Sequence, residues 1–362
     1  MRARIPTLAL LLVFAGAATS ARAADEAVTL RWKFVPKSVA YLIQEQESTA
    51  LTTTTSGETK QAQKQVTSST LIAELSTDAV DADGIADVTL RFLRLDSKVD
   101  ANGIVISMSA VRAEGGDVTT KVELEGEVSG SDATKRILGK MLEGMLGVRT
   151  LARVKPTGEV VSQKIDGDPF ADLGGGDDPT EKMMAEMMQS LLKPDEIFGL
   201  AISGCFVRLP DHAVKLGDSW DMDSTWPLMG MTITGRGKAR LASAQGEGDQ
   251  RTVTIEDDLA WDLDTSGFAA QMRKAMAPMM SANGSGDFSL DFALTSPEPL
   301  KMPRSTVFAV AGGHSTSSLV KGMKGVLKGP MTVKVRDTVV KSDMEITVDG
   351  KTTTTIQSER PK

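Results

Sequence analysis

Arg251 to Asp264 restricts the fold of this chain more than any other stretch. Val253, Ile255, Leu259, Trp261 and Leu263 share one parity, and Thr254, Glu256, Asp258 and Asp262 take the other. A period of two puts each set on one side of an extended strand, which a helix of 3.6 residues per turn cannot do. The same alternation recurs along the chain. Val28, Leu30, Trp32 and Phe34 alternate with Arg31 and Lys33, and Val39 to Thr54 continues as a strand into a threonine tract that suits a half-exposed pleat. Ser56-Gly57-Glu58 turns the chain before Gln65 to Leu75. Asp83-Gly84 and Asn102-Gly103 are hairpin signals, followed by Val88, Leu90 and Phe92 and by Ile104, Ile106 and Met108. Val122 and Leu124 alternate with Lys121, Glu123 and Glu125, and Pro156-Thr157-Gly158 marks a further hairpin.

Three segments change to helical spacing. Thr134 to Leu146 aligns Ile137, Leu138, Met141, Leu142, Met145 and Leu146 in one stripe. Pro179 to Lys193 has proline at its start and carries Met183, Met184, Met187 and Met188, with a short helical extension over Asp195 to Ile202. Phe268 to Met280 is the third, ended by Asn283-Gly284. Between the second and third, Cys205 to Trp226 reads as strand, turn, strand, with Gly217 supplying a permissive backbone and Trp220 anchoring the new strand. Phe288 to Leu294, Thr306 to Val310 and Ser315 to Val320 are further strands. Met331 to Val348 reads as one long strand with a bulge near Asp337, and Asp349-Gly350 as a turn into a last strand, Lys351 to Ile356.

The first residues predict export. Arg2 and Arg4 precede an apolar run from Leu8 to Ala18, and Ala21-Arg22-Ala23 is a small-x-small cleavage site. That run is too short for a membrane anchor, and no later run is long enough, so no transmembrane segment is expected in the mature chain. The expected location is periplasmic or extracellular after cleavage near Ala23. Loss of Arg2, Arg4 and Arg22 deepens the charge from −7 to −10, which argues against nucleic acid as a partner. Cys205 is the single cysteine, so no intrachain disulfide can form. Aromatics make up 4% and methionine numbers 19, which predicts a soft aliphatic core.

Two stretches echo each other. Ser69 to Phe92 and Gly237 to Trp261 each read strand, glycine-acid turn, then V-T-[LI] opening the next strand, which leaves open whether the halves are a duplication. The early W-x-F-x-P (Trp32, Phe34, Pro36) and the L-P-x-x-x-V-x-x-G-D-S-W carried by Leu209, Pro210, Val214, Gly217, Asp218 and Trp220, taken with the signal, resemble exported bacterial domain families of unknown function. That resemblance implies a β-rich exported protein and supplies no catalytic residues. The layout of long strands and methionine helices is also similar to half-barrel lipid carriers of the cell envelope, in architecture alone.

Catalytic and metal chemistry is poorly represented. Gly217-Asp218-Ser219 looks like the block of a lipase/esterase family, but it lies mid-chain, and neither His212 nor His314 has the D-x-x-H context that the family needs. Two histidines and one cysteine leave no ordinary zinc site, and the paired methionines are explained by apolar packing as well as by Cu(I). Asp166, Asp168, Asp172, Asp177 and Asp178 fall on a Gly/Asp-rich loop without EF-hand spacing, so calcium there stays open.

The sequence therefore predicts a mainly β (α+β) protein: a large antiparallel curved sheet or open barrel with three amphipathic helices. The expected organisation is a signal peptide at 1–23, a β-rich half at 24–204 with helices near 134–147 and 179–202, and a β-rich half at 205–362 with a helix near 268–280. The expected role is a non-enzymatic binding or scaffold protein of the envelope, holding a hydrophobic or lipid-like ligand. Met141, Met145, Met184, Met188, Met276 and Met280 would line the pocket; no metal or cofactor is expected. The alternatives are a structural protein that binds an envelope partner, and a hydrolase using Ser219.

Overall fold

The structure is a computed structural model that describes residues 27–126, 131–173, 179–246, 251–282, 288–292, 294–311, 314–335 and 338–361. The expected signal at 1–23, the Asn283-Gly284 stop, Asp177, Asp178 and the Asp337 bulge lie outside these residues. Fourteen strands form one antiparallel sheet: β1 (Ser38–Ser56), β2 (Thr59–Val80), β3 (Ala86–Ala101), β4 (Ile104–Arg112), β5 (Val118–Glu125), β6 (Arg149–Val154), β7 (Val160–Asp166), β8 (Ser219–Leu228), β9 (Met231–Gln245), β10 (Thr252–Asp264), β11 (Phe288–Phe292), β12 (Leu300–Ala311), β13 (His314–Val335) and β14 (Thr338–Gln357). The main path runs β5-β4-β3-β2-β1-β14-β13-β12-β10-β9-β8, and among the described residues hydrogen bonds do not close it. β6 joins β3 and β7, and β11 joins β13.

The first and last long strands meet in the middle. β1 pairs with β14 from Tyr41↔Gln357 to Thr55↔Asp343, which makes the two halves of the sequence one sheet. β3 changes partner along its length: Ala86 to Arg91 face β6, and Arg94 to Ala101 face β4. Leu93 is skipped in the register with β2 at that point, so a bulge bends the strand where its neighbour changes. One cross-strand row on the core face reads Phe92, Ala73, Leu42, Ile356, Ser317, Phe308, Val253, and every member is buried. The far end of the β1–β2 ribbon leaves the core, since Thr59 to Val66 are exposed on both faces.

The helices are α1 (Ser131–Gly147), α2 (Pro179–Leu191), α3 (Pro194–Cys205) and α4 (Ser266–Ala282). α1 lies on β3, β4 and β5; α4 lies on β9 and β11; α2 packs on both α1 and α4. The helices thus bridge the two arms of the sheet, burying apolar faces that hydrogen bonding between edges leaves open. Gln271 Nε2 donates to Ser190 O at 3.1 Å and ties α4 to α2. α3 touches β6, β7 and β8.

The extended segment before β1 crosses this interior. Val28 forms an antiparallel bridge with Val214. Trp32 donates its backbone N–H to Pro156 O at 2.7 Å and its indole N–H to Val207 O at 3.0 Å. Its ring meets Phe206 and Phe308 edge-on, with centroids 5.1 and 4.9 Å away. Gly217 sits at φ +89, a conformation that favours glycine, and Trp220 is buried on β8.

Several local expectations change. Cys205 ends α3 rather than opening a strand, and the extended strand resumes only at Ser219. Met331 to Val348 is not one bulged strand: β13 ends at Val335 and β14 starts at Thr338 in direct register with it, Val335 opposite Thr338. Asp349-Gly350 is no turn; it lies inside β14, paired with Thr49 and Ser48 on one side and Lys324 and Met323 on the other. Two long neighbours satisfy the ladder there, which overrides the local turn preference. Trp32→Ala is expected to destabilise the protein by about 3–5 kcal/mol, because a buried ring and its hydrogen bond are lost together; urea unfolding monitored by circular dichroism measures this.

Candidate functional site

Asp257 stands on the apolar parity of β10, between Ile255 and Leu259. It lies directly opposite Arg304 on β12, and Arg304 lies directly opposite Lys321 on β13. Three ionisable residues therefore follow one cross-strand row on the core face of three neighbouring strands. Arg304 Nε donates to Asp257 Oδ1 at 2.6 Å, with the Asp257 side chain 0% and the Arg304 side chain 12% exposed. Asp257 Oδ2 and Arg304 Nη2 are buried without a hydrogen-bond partner among the described residues. Buried polar atoms are normally satisfied, so a pair of orphaned ionic atoms marks this row as unusual.

Lys321 extends over two indoles. Its Nζ lies 4.9 Å from the Trp226 ring centroid and 5.5 Å from that of Trp261, a cation–π arrangement. The two rings stand 4.5 Å apart, inclined at 33°. Gly235 makes the stack possible: a Cβ there would lie 2.8 Å from the Trp261 ring. Burial pushes Lys321 down to about 8; Arg304 adds to this and Asp257 opposes it. Burial likewise raises the Asp257 carboxyl against the pull of Arg304. Two cations thus share one carboxylate in a poorly solvated interior.

A cavity of 270 Å³ opens beside this row. Phe206, Met222, Trp226 and Leu259 give it one apolar side, Ser203, Ser224 and Thr225 a polar one, and Arg208, Arg304, Glu159 and Asp223 give it charge of both signs. Arg208 also donates to Asp223 O at 3.3 Å, and Glu159 is engaged by Lys155 at 2.9 Å. Larger grooves, of 540, 710 and 370 Å³, lie over Glu45, Glu47 and Lys98, over Lys324, Lys328 and Glu345, and over Thr53 and Thr55. These residues have the parity opposite to the core row, so the grooves belong to the solvent face of the sheet.

The residues picked from the sequence are placed elsewhere. Met141 packs beside Ile137, Phe170 and Ala185, and Met145 on the main core. Met188 is half-buried on α2, and the side chains of Met184, Met276 and Met280 lie outside the described residues. The 270 Å³ cavity is lined by other side chains. Gly217 and Trp220 lead into β8, and the Trp220 ring is buried, its indole nitrogen without a hydrogen-bond partner among the described residues. Ser219 is exposed at the start of β8; His212 Nδ1 lies 2.9 Å from Asp211 Oδ1, and among the described residues no hydrogen bond joins it to Ser219. Asp166 pairs with Arg149, and Asp168 accepts from Phe170 N at 2.9 Å. Among the described residues no group of three or more metal-ligating side chains occurs. Asp257, Arg304 and Lys321 were not singled out by motif. Their signal was parity: Asp257 interrupts the apolar side of the clearest alternating strand.

No family model matches this chain, and no curated protein does, so the resemblance drawn from the Trp32 and Gly217 motifs gains no support from either. Among solved structures, the outer membrane protein OprG from Pseudomonas aeruginosa is similar with 9% identity over 88% of this chain and 97% of its own, at a TM-score of 0.23. An outer membrane channel from Pseudomonas putida F1 covers 92% of this chain and 99% of its own with 7% identity and a TM-score of 0.20. OpdQ from Pseudomonas aeruginosa has 9% identity over 87% and 97%, at 0.18. TM-scores this low carry no argument about fold or function. Among the described residues no helix is long and apolar enough to cross a membrane.

The row makes opposite predictions for its members. Asp257→Ala strands two buried cations and is expected to cost about 3–5 kcal/mol, whereas Lys321→Met leaves a neutral pair and is expected to hold or raise stability. The unfolded chain keeps the Lys321 proton up to its ordinary value of 10.5, while the folded one releases it near 8. Between those values the unfolded state binds more protons, so wild-type stability rises with pH across that window, and Lys321→Met removes the rise. Urea midpoints at pH 7 and pH 9.5 read both effects. Separately, burial pushes the Cys205 thiol up to about 12, and Sγ donates to Ala201 O at 3.1 Å. Maleimide is expected to leave the native protein unlabelled at pH 8 and to react on unfolding.

Proposed function

We propose that the chain is an exported binding protein of the cell envelope that shelters an apolar or lipid-like ligand inside the sheet, without catalysing a reaction. The observation that carries this reading is the cavity beside Trp226, bounded by Phe206, Met222 and Leu259 and next to orphaned polar atoms. Ligand sites combine apolar walls with placed polar groups, and here Val160, Phe206, Met222, Trp226 and Leu259 face a wall rich in polar and charged side chains, Glu159, Ser203, Arg208, Asp223, Ser224, Thr225 and Arg304. At 270 Å³ it suits a small apolar molecule or one end of a longer chain. The N-terminal pattern from Arg2 to Ala23 supports export. In this reading Ser219 has no catalytic role, and the ligand lies nearer α3 and β8 than the methionine helices.

A second reading, a structural protein that docks an envelope partner, draws on Val307 and Val320, which are 42% and 38% exposed on paired strands β12 and β13. Native mass spectrometry of the protein purified from its exported form, followed by organic extraction, separates the two. Ligand binding is expected to show as a mass excess that extracts as an apolar compound and falls in Trp226→Ala. A clean apo mass in protein that has not been exposed to detergent would favour the docking reading.

A further inference from the structure

We infer that the site beside Trp226 binds amphiphiles by an anionic head group, a carboxylate or a phosphate, held by Arg304 and Lys321 with the tail against Trp226 and Leu259. The inference rests on the ligand-binding reading and specifies its chemistry.

Three geometric facts carry it. The first is the register: Asp257, Arg304 and Lys321 are successive members of one row, so two cations face a single buried carboxylate. An interior with one positive charge in excess is costly to build, and a second anion is the direct way to balance it. The second is access. Arg304 lines the 270 Å³ cavity itself, and its Nη2, buried from water, has no hydrogen-bond partner among the described residues while Nε donates to Asp257. A guanidinium with an unused N–H edge is suited to a planar or tetrahedral oxyanion. The third is the wall. Lys321 is not itself a lining residue, but its Nζ stands 4.9 Å from the ring of Trp226, which is, so a tail on the indole and a head at Arg304 fall on neighbouring surfaces within reach of its charge.

The remaining charges do not cancel the excess. The acids on the cavity wall are Glu159 and Asp223. Glu159 is already paired with Lys155, and Asp223 points to the exposed side of β8. Arg208 adds a further cation to the wall. On the β14 side, the residue opposite Lys321 is Thr352, which is uncharged. The proximity of Lys321 to its own titration, about 8, adds a pH signature: head-group affinity is lost as the ammonium is deprotonated.

The experiment uses the whole protein and three eight-carbon competitors, octanoate, octyl phosphate and octanol, which displace the neutral fluorophore N-phenyl-1-naphthylamine. At pH 7, at least one of the two anions is expected to compete tenfold or more better than octanol. The stronger of the two identifies a carboxylate or a phosphate head. For octanoate, which stays fully ionised, the preference is expected to shrink toward one at pH 9.5 and in Lys321→Met. Lys321→Arg is expected to keep it at pH 9.5, because arginine does not deprotonate there. Equal competition by octanol and both anions in the wild type, or a preference for anions that survives Lys321→Met, overturns the inference. If a variant fails to fold, the wild-type comparison at the two pH values decides alone. Failure of the fluorophore to bind would instead remove the ligand-binding reading, and this inference with it.

Discussion

The pairing of β1 with β14 is the constraint on which the rest of the structure depends. It runs from Tyr41↔Gln357 to Thr55↔Asp343 and joins residues about as far apart in sequence as the chain allows. Without it, β2 to β5 and β8 to β13 would be two smaller sheets, each with an unpaired inner edge. With it, rows of side chains run unbroken from Phe92 across to Val253, and a core forms that neither half contains alone. Long-range closure of this kind costs chain entropy before it returns any contact. The length of β1, β2, β13 and β14 offsets that by multiplying the paired residues.

A sheet this wide must cover its core face. The crossing segment and the helices do so in different ways. Trp32 binds three separate regions: the β6–β7 turn through Pro156, the chain after α3 through Val207 and Phe206, and β12 through Phe308. The helices instead form a chain from β5 through α1, α2 and α4 to β9 and β11. This spans the gap between the arms without edge-to-edge hydrogen bonds and leaves room for a cavity under α3 and β8.

The row from Asp257 to Lys321 opposes this economy. Most same-face strand neighbours of the row are apolar: Ile255 and Leu259 beside Asp257, Met302 beside Arg304 with the buried Thr306 on its other side, and Leu319 and Met323 beside Lys321. A fold selected for stability alone would fill these positions with leucine or methionine. Local rules are most often broken at functional sites, and this row adjoins a cavity.

Much of the strand content was legible, because period-two alternation is a local property. Val253 to Leu263, the Asp83-Gly84 and Asn102-Gly103 turns and the three methionine helices are all written in residues near one another in sequence. Asp349-Gly350 shows the limit: its turn preference is local, and pairing with Ser48 and Met323 overrode it. The candidate site lay further beyond reach. By itself the sequence determined the elements, their faces and the anomalous parity of Asp257. Only the tertiary structure decided that Arg304 and Lys321 stand in line with it, because cross-strand register joins residues 47 and 64 positions from Asp257 through hydrogen bonds that no local pattern encodes.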